Sequence, residues 1–165
     1  MKVLGIDPGS KTLGWGVIEG DRSKYRLVEY GTIKSSEKDK FSTKLLKIFD
    51  KTTDLIERFK PDVLSIEEVF YAVNVEVALK LGQVRGVVML AAEKANLQIV
   101  EYPTKLVKQT IVGYGNAEKR QVQEMVKALL KLKERPEPHD AADALALAIC
   151  YFHVNNITEK NKRVF

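Results

Sequence analysis

The sequence predicts an α/β fold in which a mixed five-stranded sheet is flanked by helices. Three β-like segments open the chain, and the turns between them are short enough for antiparallel hairpins. After them, helix-length amphipathic segments alternate with short apolar runs, as in strands joined by crossover helices. The 165 residues, 45% of them hydrophobic, suffice for one domain with a full core. We therefore expect a single domain over residues 1–155 and a polar, frayed tail over residues 156–165.

The antiparallel part is predicted from apolar segments that alternate with turn residues. Pro8 and Gly9 follow the first segment, and a polar stretch at 20–23 follows the second. These turns place strands at residues 2–7, 13–19 and 25–33.

The rest of the chain alternates between helical and extended patterns. Apolar residues at spacings of three and four predict helices at 41–59, 75–95, 103–112, 118–132 and 139–154, with strands at 63–66 and 97–102. A right-handed crossover should place strand 63–66 parallel to an earlier strand. Gly82 and Gly86 lie one turn apart inside a helix, where each costs about 1 kcal/mol. We therefore expect the sheet or a second subunit to approach them closely.

Charge and cysteine content limit the classes of function. The net charge is +5, and residues 102–135 contain eight basic and three acidic side chains, a patch that fits a polyanionic partner. The single cysteine, Cys150, excludes a disulfide framework and a cysteine-rich zinc site. Neither a signal peptide nor a membrane-spanning run is present, so we expect a soluble, cytoplasmic protein without a membrane partner.

Two strands end in carboxylates. Asp7 follows the apolar run of the first strand, where an ionised group is costly unless a cation meets it; the alternative is a carboxylate that caps its own turn. Strand 63–66 is followed by Glu67 and Glu68 and can lie beside the first strand. Alternation puts the two glutamates on opposite faces, but periodicity does not say which face is buried.

The last helix begins with two further carboxylates. Asp140 and Asp143 are three residues apart, hence neighbours on one face of an alanine-rich helix. Each alone fits a helix cap, but together they repel one another, a cost that a divalent cation would remove. The neighbouring His139 fits three roles: ligand, base or capping neighbour.

Asp7, Glu67, Asp140 and Asp143 would make an oxygen-only site suited to Mg²⁺ or Mn²⁺. Two such ions roughly 4 Å apart can clamp the attacking and leaving oxygens of a phosphodiester. Such a two-ion site, together with the basic patch, predicts a metal-dependent nuclease. In it, water would cleave the phosphodiester and leave a 5′-phosphate.

Five sequence blocks carry a resemblance to a known family. They are GIDPGS at 5–10, IEEVF at 66–70, ALKLGQVRG at 78–86, VKQTIVGYGNAEK at 107–119 and DAADALALAI at 140–149. In this order and spacing the chain resembles the RuvC family of Holliday-junction resolvases, which are homodimeric endonucleases with a ribonuclease-H-like fold. The resemblance implies that the four carboxylates are catalytic metal ligands, with Glu67 chosen over Glu68.

The resemblance also implies DNA contacts. Lys108 and Lys119 match lysines needed for cleavage, and Phe70 matches an aromatic residue that enters the opened junction. Tyr71 follows Phe70, and exposed aromatic side chains can stack on unpaired bases. Arg85 and Arg120 complete the set of candidate DNA contacts.

The substrate and partners follow from the same resemblance. A homodimer would place two sites on opposite strands of a four-way junction, nick both symmetrically, and work with the RuvA–RuvB branch-migration complex. The alternatives are another ribonuclease-H-fold nuclease, acting on RNA–DNA hybrids or other branched DNA, and a non-catalytic junction-binding module. A sugar-kinase or actin-like ATPase would need a second domain.

Overall fold

A computed structural model of the protein describes residues 1–9, 11–21, 24–68 and 74–162, without the side chains of 155–162. The strands are β1 (Lys2–Asp7), β2 (Thr12–Gly20), β3 (Tyr25–Lys34), β4 (Val63–Glu68) and β5 (Gln98–Pro103). The helices are α1 (Phe41–Phe59), α2 (Val75–Lys94), α3 (Thr104–Val112), α4 (Lys119–Leu129) and α5 (His139–Lys162). Each predicted strand and helix is present.

Two helix ends differ from the prediction by more than one residue. Helix α4 stops at Leu129 rather than residue 132, because Lys131 takes a left-handed φ of 54° and Leu132 N–H closes back on the Lys127 carbonyl at 2.9 Å. Helix α5 continues past the predicted end at residue 154 and stays helical to Lys162. Within the described part of the chain, no helix combines the length and apolarity needed to cross a membrane.

The sheet has the order β3-β2-β1-β4-β5. Strands β1, β2 and β3 form two antiparallel pairs, whereas β4 is parallel to both β1 and β5. Helices α1 and α2 supply the two crossovers that parallel pairing requires. The predicted mixed sheet is therefore confirmed, including the parallel pairing of β4 with the first strand.

Side-chain alternation divides the core between the two faces of the sheet. Leu4 and Ile6 of β1 pack on one face with residues of α1 and α2. Val3 packs on the other face with residues of α3, α4 and α5. Alternation continues to the end of the strand, so Gly5 and Asp7 also face α5. This face contains the candidate site.

Glycines on this face let α5 approach the sheet closely. A Cβ atom on Gly5 would lie 2.0 Å from the carbonyl oxygen of Ala144, and one on Gly14 would lie 1.9 Å from that of Asp140. The buried Ser65 hydroxyl of β4 adds a hydrogen bond of 2.8 Å to the Leu147 carbonyl. These contacts fix the first turns of α5 beside the end of β1.

Gly82 and Gly86 of α2 behave differently. Both are exposed, and a Cβ atom on either would meet no described atom within 4 Å. Of the two predicted alternatives, close approach by the sheet is therefore excluded. The face of α2 that packs on the sheet is instead the one that bears the buried Val84 and Val88. The alternative, contact with a second subunit, remains a prediction.

Candidate active site

Two neighbouring strands place Asp7 and Glu67 at the same edge of the sheet. Ile6 of β1 is paired with Ile66 of β4, so the following residue of each strand lies one step beyond the pair. Both side chains face α5, because Val3 and Ser65 earlier in these strands do so. Alternation directs Glu68 to the opposite face. Of the two glutamates, Glu67 therefore shares the α5 face with Asp7.

The first turn of α5 brings the other two carboxylates to this edge. The buried Gln123 of α4 donates to the Pro136 carbonyl at 3.1 Å and so holds the segment that leads into α5. Asp143 lies one turn into the helix, and its side chain is 28% exposed. Asp140 is partly exposed at the start of the same face.

A cleft of about 260 Å³ opens at this edge. Its polar lining comes from β1, β4, α3, α4 and α5 and consists of Asp7, Glu67, Thr104, Lys108, Lys119 and Asp143. Asp140 lies outside that lining. Three of the four predicted carboxylates and both predicted lysines therefore meet in one cleft.

The electrostatics of the cleft reflect several negative charges in a confined space. The pKa of Asp7 is raised well above its usual range, first by burial and then by the charges of Glu67, Asp143 and Asp140. Burial also raises the pKa of Asp143, against the opposing effect of Lys119, whose Nζ lies 3.9 Å from Asp143 Oδ2. A cation is the group that would relieve this repulsion.

The candidate metal-ligand side chains do not converge on a single point in this structure. Across residues 1–9, 11–21, 24–68 and 74–162, no group of three or more His, Cys, Asp or Glu side chains is arranged to hold a metal ion. The four carboxylates nevertheless affect one another electrostatically, as the pKa of Asp7 records. Their donor set is all oxygen, which is the set that Mg²⁺ and Mn²⁺ prefer, so the chemistry of the residues fits a divalent cation.

The predicted DNA contacts that the structure describes lie at the start of α4, in the cleft wall and within α2. Lys119 and the exposed Arg120 begin α4, whose start is fixed by a reciprocal cap in which Glu118 N–H donates to Gln121 Oε1 at 2.8 Å. Lys108 of α3 is partly buried in the cleft wall. Phe70 and Tyr71 lie outside the described residues.

Arg85 is engaged within the protein. Its Nε donates to the backbone carbonyl of Glu67 at 3.1 Å, and its guanidinium forms an ion pair with Glu101 of β5. His139 is exposed as the first residue of α5, and its charge lowers the pKa of Asp143. His139 does not line the cleft, and its role as ligand, base or capping neighbour stays a prediction.

Thr104 also contacts this cluster, although no sequence pattern pointed to it. Its hydroxyl donates to Glu67 Oε1 from the first position of α3. A threonine after a proline carries no signal for such a contact, because only the tertiary structure brings the start of α3 to the end of β4.

The chain is similar to proteins of one family over nearly its whole length. The family model for crossover junction endodeoxyribonuclease RuvC matches residues 3–151. The RuvC of Caldanaerobacter subterraneus subsp. tengcongensis is 45% identical over 160 residues, which cover 97% of this chain and 97% of that protein.

Two solved structures show the same similarity in three dimensions. Thermus thermophilus RuvC superposes with a TM-score of 0.85 at 36% identity, covering 96% of this chain and 98% of that one. T. thermophilus RuvC in complex with a Holliday junction substrate gives a TM-score of 0.90 at 34% identity, covering 96% of each chain. The predicted ribonuclease-H-like, mixed five-stranded architecture therefore matches these structures.

Proposed function

Because this chain belongs to the RuvC family of crossover junction endodeoxyribonucleases, we propose that it resolves four-way Holliday junctions by paired, symmetric nicks in recombination and repair. The observation that carries the proposal is the cleft in which carboxylates from β1, β4 and α5 face two lysines. Acidic side chains alone would repel a phosphodiester. Carboxylates combined with the lysine side chains of α3 and α4 suit phosphodiester hydrolysis rather than junction binding alone.

The catalytic carboxylates of this proposal are Asp7, Glu67, Asp140 and Asp143. The fold of RuvC-like nucleases implies a divalent metal, and we assign Mg²⁺, with Mn²⁺ as a substitute and two ions in each site. Bound there, the ions would supply Lewis-acid stabilisation to the attacking and leaving oxygens. The carboxylates would hold this charge at the end of the sheet, where the burial of Asp7 would keep bulk water from screening it.

Basic residues around the cleft position the DNA. Lys119 lies beside Asp143, where it can bind a phosphate next to the metal site. Lys108 extends the positive charge along the cleft wall, and Arg120 extends it outward. Phe70 and Tyr71 follow β4 in the chain and are proposed to stack on bases of the opened junction.

A second copy of the chain is proposed to bind along α2. Four exposed apolar side chains occupy this helix: Val75 (72% exposed), Val77 (45%), Leu79 (64%) and Leu90 (60%). Val75, Leu79 and Leu90 fall on one stripe with Gly82 and Gly86, at helical spacings of three and four. The absence of side chains on the glycines permits close helix–helix approach, and a two-fold axis would pair the stripe with itself.

The remaining partners follow from the family. We propose that the RuvA–RuvB branch-migration complex delivers the junction to the homodimer. We also propose that the enzyme acts in the cytoplasm, because its substrates would be chromosomal recombination intermediates.

Cleavage of a synthetic four-way junction in Mg²⁺ tests the proposal. We expect the wild-type protein to nick two opposing strands symmetrically, leaving 5′-phosphates, and Asp7→Asn to lose at least about a thousandfold in rate, since it removes charge that the reaction needs. Asp54→Asn is the matched control, because Asp54 is an exposed carboxylate of α1 paired with Lys51 at 3.0 Å.

Two outcomes would contradict the proposal in different ways. Cleavage by Asp7→Asn at the wild-type rate would remove Asp7 from the site. A wild-type protein that cuts RNA–DNA hybrids but leaves junctions intact would overturn the substrate assignment.

A further inference from the structure

Glu67 is held by two residues outside the cluster of carboxylates. Thr104 Oγ1 donates to its carboxylate oxygen Oε1, and Arg85 Nε donates to its backbone carbonyl at 3.1 Å. The first contact comes from the start of α3 and the second from the middle of α2. The side chain and the backbone of one residue are therefore fixed by two different helices.

Arg85 is itself anchored across two strands. Its guanidinium forms an ion pair with Glu101 of β5, and the Arg85 side chain is only 20% exposed. Glu101 is the register partner of Ile66, the residue before Glu67. The arginine thus links β4 to β5 at the residue pair that immediately precedes Glu67, the candidate metal ligand. With these contacts made, the guanidinium is engaged by two groups of the protein itself.

Thr104 acts at the side chain of Glu67. Its neighbour Pro103 is the register partner of Glu68, so the hydroxyl reaches Glu67 from the adjacent strand end. Thr104 also lines the cleft with Asp7 and Asp143. The hydrogen bond engages Oε1, and a carboxylate with two oxygens and about four lone-pair positions can accept it and still bind a cation.

We propose that Thr104 and Arg85 are positioning residues that hold the Glu67 carboxylate toward the metal site. The inference rests on the proposed function, in which Glu67 is a metal ligand. A long glutamate side chain has several rotamers, and one hydrogen bond to its carboxylate selects the rotamer that reaches the cleft. Hydrogen-bond partners of ligating carboxylates typically change metal affinity or activity by about 10–100-fold when they are removed.

Thr104→Val removes the hydroxyl and keeps the shape of the side chain. We expect binding of Mn²⁺ to the metal-free protein, followed by electron paramagnetic resonance of the free ion, to weaken about tenfold. The Mg²⁺ concentration for half-maximal junction cleavage should rise by a similar factor, and the rate should recover at saturating Mg²⁺. Junction affinity in EDTA should stay at the wild-type value, and Thr104→Ser should restore metal binding because it restores the donor.

Arg85→Met removes the donors and keeps a long, unbranched side chain. The positioning role predicts weaker Mn²⁺ binding with unchanged junction affinity in EDTA. A DNA contact predicts the reverse: weaker junction binding, with Mn²⁺ binding unchanged. The reverse result would overturn the inference for Arg85. Circular dichroism confirms that both variants are folded before these values are compared.

Two further variants separate this inference from the proposed function. Thr43→Val makes the same change at an exposed position of α1 and should behave as the wild type. Glu67→Gln should abolish cleavage, and Thr104→Val added to it should cause no further loss of Mn²⁺ binding. If Glu67→Gln cleaves normally, the site assignment fails; if it is inactive while Thr104→Val binds Mn²⁺ as the wild type does, only the positioning role fails.

Discussion

Helices α5 and α2 are both rich in small residues, but they lie on opposite faces of the sheet. Under α5 the glycines belong to the strands, and Gly5 and Gly14 let the helix backbone touch the sheet. In α2 the glycines belong to the helix, and Gly82 and Gly86 face open space. A glycine in a regular element therefore marks close approach only when another element covers the face on which it lies. In α5 the approach is made within one chain, and it builds the site. In α2 no described atom comes close to either glycine, and contact with a second copy is our proposal.

The largest expected effect is at the covered face. Gly14→Ala places a Cβ atom 1.9 Å from the Asp140 carbonyl oxygen, so α5 must move away from the sheet. We expect the free energy of unfolding, measured in urea, to fall by about 3 kcal/mol, and junction cleavage to be lost as the aspartates of α5 shift. Gly86→Ala makes the same change in open space and should leave folding intact. Equal stability of the two variants would show that contact with α5 does not distinguish Gly14 from Gly86.

The next effect concerns assembly through the exposed face. Leu79→Lys adds a charge to the apolar stripe of α2, where Leu79 is 64% exposed. A buried, unpaired lysine is costly, so sedimentation equilibrium should show dimerisation weakened at least about tenfold. Leu46 of α1 is 60% exposed outside the stripe, and Leu46→Lys is therefore the control. A wild-type monomer, or a Leu79→Lys dimer of unchanged affinity, would remove α2 from the interface.

A smaller effect follows from the repulsion within the site. The pKa of Asp7 is raised in the folded protein, first by burial and then by the neighbouring carboxylates. The metal-free folded state therefore retains this proton over a pH range in which the unfolded chain has lost it, and stability falls as pH rises from the unfolded to the folded pKa. Above the folded pKa the full penalty is present.

Asp7→Asn removes this penalty. In EDTA at neutral pH we expect its Tm to exceed that of the wild type by roughly 2–4 °C, the shift that 1 kcal/mol gives at this chain length. The difference should shrink toward acid pH, and Mg²⁺ should raise the Tm of the wild type more than that of the variant. A variant that is less stable at neutral pH would mean that Asp7 is satisfied by protein contacts instead of awaiting a cation.

The smallest effect isolates the cost of an exposed helix glycine. In the Leu79→Lys background, where assembly is weakened, Gly86→Ala should raise the free energy of unfolding by about 1 kcal/mol, because alanine is the better helix former. In the wild-type background the same change should weaken the dimer, since a methyl group separates the paired helices. Loss of stability in both backgrounds would show that something within the chain already contacts Gly86.

Local signals in the sequence were sufficient for most of the fold. Hairpin turns, apolar alternation and helical spacing predicted each strand and helix, because these patterns depend on neighbours a few residues away. Errors occurred at helix ends such as Leu129, where a left-handed residue closes the helix. The carboxylates at the ends of two strands, and the aspartate pair of α5, were also visible as charges in apolar surroundings.

Sequence patterns thus predicted the order of the elements and the places where charge interrupts them. The face that each residue occupies follows from how the elements pack on one another. Alternation separated Glu67 from Glu68 but needed α5 to show which of them shares a face with Asp7, and packing of α2 on the sheet brought Arg85, a predicted DNA contact, beside Glu101 of β5. The difference arises from the distance along the chain over which each effect acts. Periodicity is set within one element, whereas burial, ion pairs and close backbone approach depend on which element packs on top.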